Sequence, residues 1–358
     1  MNHDARREYV TLNGLRGVAA VTVMLYHYSG LFVGDTLLLP SAYLAVDLFF
    51  ILSGFVIAHA YDQRLHGGMT FKHFAWLRLV RLYPLYALTS LVGVSYFFLK
   101  IFLVPEDPIG ISFANLLSGS LFLPTFSEGH ENLYPFNPAA WSLFFELIAN
   151  FVYALLIKRM SNRVLGAIVV FGAVGIILSA FHFGSLDVGM TQKSLAGGAA
   201  RVMFSFSLGV LLWRLRDQIS RISSAYSVLL LFVSLILLAL PMATVARPFY
   251  DLFCVAIAFP VLVRMGSSLE AGAFLKPAYT MSADLSYPIY LVHGPMFLFA
   301  SAIYKQVFDA NLATGRPLLG LATTAATLVA SYLVVRYFDE PVRSWLRRRP
   351  ASRTPVRP

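Results

Sequence analysis

Cysteine is almost missing from this chain: Cys254 is the only one in 358 residues. A single thiol excludes an internal disulfide and any multi-cysteine zinc site. Its apolar neighbours mark it as a small packing residue. Charge is also scarce, at 13% of residues, and acids are fewer than bases: 18 Asp and Glu against 28 Lys and Arg. No long polar linker interrupts the chain, so a division into soluble domains is not expected. The N-terminal segment MNHDARREYVTLN is polar and contains acids. That is unlike the start of a cleavable signal peptide, so the first apolar run reads as a retained anchor.

What the chain has in abundance is apolar surface. Hydrophobic residues make up 58% of it, and mean hydropathy is +0.69. Apolar runs near twenty residues recur along the whole length, which predicts an all-α polytopic membrane protein built as one bundle. Ten spans can be read, at 14–33, 41–61, 82–103, 139–157, 165–183, 199–213, 226–245, 249–263, 283–304 and 317–338. Residues 111–126 are too short and too rich in Ser, Gly and Pro for a span, and are read as a re-entrant or interfacial helix.

The charges test this order. With the N-terminus inside, one side collects Arg6, Arg7, Arg64, Lys72, Arg78, Arg81, Lys158, Arg159, Arg163, Arg214, Arg216, Arg221, Arg264 and Lys276. The other side holds Asp35, Glu106, Asp107, Glu128 and Glu131, with only scattered bases. The positive-inside rule then places both termini in the cytoplasm, and it accounts for the net charge of +10 without nucleic acid. The expected organisation is a membrane domain over 1–340 and a basic, disordered tail over 341–358 that anchors on anionic lipid.

Polar groups inside the spans are the candidates for function, because each is costly in lipid. His27 stands in the first span, with Arg16 eleven residues before it. Three helical turns place both on one face, about 16 Å apart. Asp47 in the second span is either a structural lock to an Arg or hydroxyl, or the carboxylate that orients His27. Ser53 and Gly54 are explained by close helix packing. Arg78 and Arg81 share a helix face, either as ordinary flanking cations or as a clamp for a phosphorylated donor, with Pro84 bending the segment. His59, His66 and His73 recur every seven residues, but Gly67 and Gly68 break the helix that a metal site would need, so no metal is expected. In the fourth span Ser142, Glu146, Asn150 and Tyr153 form one polar stripe, which argues for a lined cavity. Trp141 stands at its boundary, as a belt residue or a substrate contact. In the ninth span Ser286, Tyr290 and His293 share a face. Pro288 and Pro295 there distort the helix and free carbonyls.

Five of these segments, in this order, resemble the acyltransferase 3 family of bacterial integral-membrane acyltransferases. They are LNGLRGVAAVTVMLYHY, VDLFFILSGFVI, the Arg78-x-x-Arg81 segment with LYPLY, WSLFFEL around Glu146, and LSYPIYLVH ending at His293. Asn13 departs from the family's commoner Asp. The resemblance covers nearly the whole chain and implies a stand-alone enzyme of the bacterial inner membrane. It implies O-acylation of a cell-envelope or secreted carbohydrate, or a lipid-linked sugar, by acyl-CoA, most often acetyl-CoA, with no tightly bound cofactor. The family's functional residues carry over to Arg16, His27, Arg78 and Arg81. On that reading Arg16, Arg78 and Arg81 hold the donor, and His27, Asp47 and Glu146 do the chemistry. Trp141, Ser142, Asn150, Ser286, Tyr290 and His293 line the acceptor side. The residues alone also suit a proton-coupled transporter or flippase of a lipid-linked sugar, or a non-catalytic assembly partner.

Overall fold

A chain this apolar must satisfy its backbone polar groups internally, and α-helices do so within each segment. The computed structural model describes residues 8–34, 36–103, 112–126, 131–216, 225–308 and 315–348. Helices dominate and no strand occurs among them. Arg6, Arg7, Arg221, Asp35, Glu106, Asp107, Glu128 and the tail beyond 348, all used in the charge argument, lie outside the described residues.

In chain order the helices are α1 (Val10–His27), α2 (Ser29–Val33), α3 (Ala45–His66), α4 (Phe71–Leu103), α5 (Phe113–Ser120), α6 (Ala140–Leu156) and α7 (Asn162–Phe183). They continue with α8 (Leu195–Arg214), α9 (Ala225–Ala239), α10 (Arg247–Phe253), α11 (Phe259–Gly266), α12 (Lys276–Phe308), α13 (Pro317–Val334) and α14 (Glu340–Arg348). Single π-helical turns join α10 to α11 and α13 to α14.

Each predicted span overlaps a helix, but only seven segments among the described residues are long and apolar enough to cross a membrane. They involve α3, α4, α6, α7, α8, α10 with α11, and α13 with α14. Of the other three, α9 has 15 residues and is short. The remaining two, α1 and α12, are diluted by polar residues: Asn13, Arg16 and His27 in one, Asp284 and His293 in the other. Helix α5 has eight residues, too short to cross a bilayer. Its end is tied to α4, where Tyr83 and Tyr86 donate to the carbonyls of Ser120 and Gly119. The basic segment expected to be disordered from 341 begins as helix α14.

Three pairings dominate the bundle: α3 with α8, α1 with α12, and α7 with α8. Small residues permit them. A Cβ on Gly54 would collide with the Phe206 carbonyl, and one on Gly209 with the Ile51 carbonyl, so α3 and α8 cross backbone to backbone. A Cβ on Gly17 would meet Ser282 where α1 crosses α12. These two crossings fix where the polar residues of α1, α3, α8 and α12 meet. Gly54→Ala and Gly209→Ala should each lower stability by about 1–3 kcal/mol, because neither backbone can yield. Gly166→Ala, whose Cβ meets nothing within 4 Å, should be neutral or mildly stabilising. Thermal unfolding in detergent separates the two classes.

Candidate active site

Helices α1, α3, α4, α6 and α12 surround a cavity of about 180 Å³. Arg16, Arg78, Arg81, Glu146, Ser53, Ser142, Ser286 and Tyr290 are in its wall. Arg78 Nη2 lies 3.4 Å from Glu146 Oε1, and Ser53 Oγ donates to the same oxygen at 2.6 Å. Ser53 is thus a site residue that helix packing alone does not explain. Arg81 Nη1 stands 3.9 Å from Asp339 Oδ2, on the π turn after α13, and its guanidinium lies over the Tyr287 ring at 5.3 Å. π turns of this kind recur at functional sites. Arg16 makes no hydrogen bond or ion pair among the described residues. Three guanidinium groups and one carboxylate, Glu146, therefore line one space, which leaves it net positive, while Asp339 sits outside it and pairs more closely with Arg343, at 3.1 Å.

Beyond the cavity a ladder of polar rings runs through the bundle. The Ser142 and Tyr290 hydroxyls are 2.7 Å apart. Tyr290 meets the buried His293 ring edge to face at 5.8 Å, and His293 stacks on His27 at 5.1 Å with 21° between planes. His293 Nδ1 is 3.1 Å from the Ile289 carbonyl, which can only accept. Nδ1 therefore carries the proton and Nε2 keeps its lone pair. The expected freed carbonyl is also present. Pro295 cannot donate to Leu291, and Asn137 Nδ2 donates to that carbonyl at 3.1 Å instead.

His27 is the last residue of α1 and is exposed, at the far end of the ladder from the arginines. Neither carboxylate expected beside it is there. Glu146 is engaged by Ser53 and Arg78. Asp47 is engaged by Arg201, whose Nη2 reaches Oδ2 at 2.7 Å and whose Nε lies 3.1 and 3.3 Å from the two oxygens. Ser205 donates to Asp47 as well, at 3.3 Å. Arg201 is 1% exposed, and a buried guanidinium takes the nearest buried carboxylate. Asp47 thus makes the contact to an Arg that the lock reading expects, and none to His27 among the described residues. The carboxylate whose charge reaches His27 is Asp187, which accepts from the Tyr26 hydroxyl at 3.1 Å.

The remaining expected residues divide. Ser142, Ser286 and Tyr290 line the cavity, with Ser286 Oγ turned to the Ala283 carbonyl at 2.7 Å. Trp141 is buried under the Arg201 guanidinium, 5.4 Å from its ring, and does not line the cavity. Asn150 is fully buried, and neither end of its amide has a partner among the described residues. Tyr153, on the same stripe, donates to Asp62, which also pairs with Arg214 at 2.6 Å. Sequence reasoning missed Arg201, Asp187 and Asp339. Arg201 gave little signal in the sequence, because it is the third residue of the span read there and only the longer helix α8, Leu195–Arg214, carries it into the interior.

An anion could meet the arginines at one end of this arrangement, and an exposed imidazole is offered at the other. That defines a multi-pass membrane protein with an arginine-lined polar site in its bundle. The acyltransferase 3 family model, described as an acyltransferase domain, matches residues 9–336, and the chain belongs to that family: it is an acyltransferase. It is similar to a Rhizobium radiobacter protein described as "Protein 2 in picA locus", 38% identical over 196 residues. That match covers 51% of this chain and 100% of the relative. No solved structure matches it.

Removing one partner of the Asp47–Arg201 pair leaves a buried charge uncompensated, at about 3–5 kcal/mol. Asp47→Ala should therefore lose folded protein, measured as monodisperse yield and melting temperature in detergent. Asp47→Ala combined with Arg201→Met should recover much of it. A fully stable Asp47→Ala would reject the lock.

Proposed function

We propose that this chain is a bacterial inner-membrane O-acyltransferase. It moves an acyl group, acetyl in the first instance, from acyl-CoA to a hydroxyl of a cell-envelope or secreted carbohydrate. The observation that supports this most is the convergence of Arg16, Arg78 and Arg81 on one cavity, with Arg16 in no hydrogen bond or ion pair among the described residues. Guanidinium groups in a water-poor space suit phosphate, and the CoA moiety carries several. In this reading the arginine end is cytoplasmic, both termini face that side, and ten segments cross the bilayer.

The chemistry follows from the two ends. The CoA phosphates rest on Arg16, Arg78 and Arg81. Glu146 and Asp339 hold Arg78 and Arg81 in orientation, so Glu146 serves as a positioning group. The thioester arm extends along Ser142 and Tyr290, past His293, to His27. Neutral His27 removes the proton of the acceptor hydroxyl as its oxygen attacks the thioester carbonyl. The C–O ester bond forms, the C–S bond breaks, and the leaving thiolate takes the proton from the imidazolium. In a second form of the same reading His27 carries the acyl group transiently.

His27→Ala and His27→Gln should fold as the parent does while transfer falls by about 10²–10⁴-fold, as loss of a general base does. Labelled acetyl-CoA, purified protein and ester quantification read this directly; a fully active His27→Ala would sink the mechanism. Substrate movement driven by a proton gradient, with no ester formed, would favour a transporter. Arg81→Ala should raise the KM for acyl-CoA about tenfold or more, the scale of one charge-assisted hydrogen bond, with smaller effects on acceptor choice. An unchanged donor KM would count against the clamp.

A further inference from the structure

Between α7 and α8 the chain makes a short loop at the His27 end, and that loop is fastened unusually well. Asp251, fully buried, accepts from the Leu186 amide at 2.7 Å. Arg201, also buried, donates from Nη1 to the Val188 carbonyl at 2.8 Å. Gly189 follows at φ +115, closed against Trp141 and Gly198, and its amide donates to Ser194 Oγ at 3.0 Å. A second loop crosses it, with the Leu133 amide on the Met190 carbonyl at 2.9 Å. Each anchor is itself held. Asp251 takes the Tyr43 hydroxyl at 2.7 and 2.8 Å, and Arg201 takes Asp47.

The residue between the two charged anchors is Asp187. Leu186 and Val188 are buried on either side of it, whereas Asp187 is exposed. Its Oδ2 accepts from Tyr26, whose ring meets His27 at 5.2 Å. Its Oδ1 accepts from no protein donor among the described residues. A connection that merely joins two helices has no need of two buried charges to fix the backbone on both sides of one acid. Functional groups do need such support.

We infer that Asp187 holds the acceptor. Its open oxygen accepts from a second hydroxyl of the molecule whose first hydroxyl lies at His27. The acceptor is then a polyol such as a pyranoside and not a monohydric alcohol, since a lone hydroxyl would leave this carboxylate unused. Tyr26 fixes one oxygen so that the other is aimed. The inference rests on the acyltransfer reading above and deepens it at the acceptor side.

The test uses purified full-length protein, acetyl-CoA, and a panel of methyl α-D-glucopyranoside, methyl α-D-galactopyranoside, methyl α-D-mannopyranoside and cyclohexanol. Ester product and released CoA thiol are both followed. The parent should acylate at least one glycoside in preference to cyclohexanol. Asp187→Asn should raise the glycoside KM at least about tenfold, with kcat falling no more than about threefold, the scale of a hydrogen bond to a charged group. The preference over cyclohexanol should collapse with it, and Asp187→Glu should recover part of it. An unchanged melting temperature shows that the loop has not simply come apart. A glycoside preference retained in Asp187→Asn overturns the inference. So does a parent that prefers cyclohexanol, or that releases thiol but forms no glycoside ester. A parent that releases no thiol with any acceptor overturns the acyltransfer reading itself, and this inference with it.

Discussion

Arg201 must be neutralised inside the bundle, and much of the structure follows from how that is done. A guanidinium 1% exposed has five donors and no water to give them to. Asp47 takes three of the contacts, and the carbonyls of Tyr43 and Val188 take the others, at 3.0 and 2.8 Å. One side chain thereby ties α8 to α3, to the turn before α3, and to the loop before α8. The glycines at the α3–α8 crossing bring those backbones close enough for the pair to form. The pair in turn keeps α3 in register, with Ser53 pointed at Glu146 in the cavity wall.

The polar interior is divided between two kinds of work. Asp47 with Arg201, Asp62 with Arg214 and Tyr153, and Asp251 with Tyr43 are closed sets, in which each charge finds its partners within the protein. The cavity is an open set. Arg16 has no hydrogen-bond or ion-pair partner among the described residues, Arg81 stands at a long 3.9 Å from Asp339, and His27 is exposed. This contrast separates groups that hold the bundle from groups that line an open space. It moves Asp47 and Trp141 to the first kind and Ser53 to the second.

Most of the fold was legible, because long apolar runs admit few structures in a membrane and Gly and Pro punctuate them. Helix positions came from apolar runs, the short α5 from length and composition, and the shared face of Arg78 and Arg81 from helical spacing. The composition of the cavity was legible too: Arg16, Arg78, Arg81, Ser142, Glu146, Ser286 and Tyr290 meet in it. Pairings between distant helices were not. Helical spacing says which side of its own helix Asp47 occupies, but not which neighbour lies on that side. Proximity in sequence suggested His27, one span away, whereas the bundle supplied Arg201, 154 residues further on. Asp187 was invisible for a different reason. It lies in a loop without periodicity, and its placement depends on two side chains from elsewhere.

The hydrogen bond from Asn137 to the Leu291 carbonyl has a consequence for how this sequence can change. Pro295 opens a gap in the ladder of α12, one residue pair from the His293 ring, and a separate segment of the chain closes it. Defect and remedy are thus encoded more than 150 positions apart. A residue at 295 that restores an amide would give that carbonyl a second donor, which its two lone pairs can accept. An apolar residue at 137 would strand that carbonyl in a dry interior. The dependence therefore runs one way: position 295 can change alone, whereas 137 is held for as long as Pro295 stays.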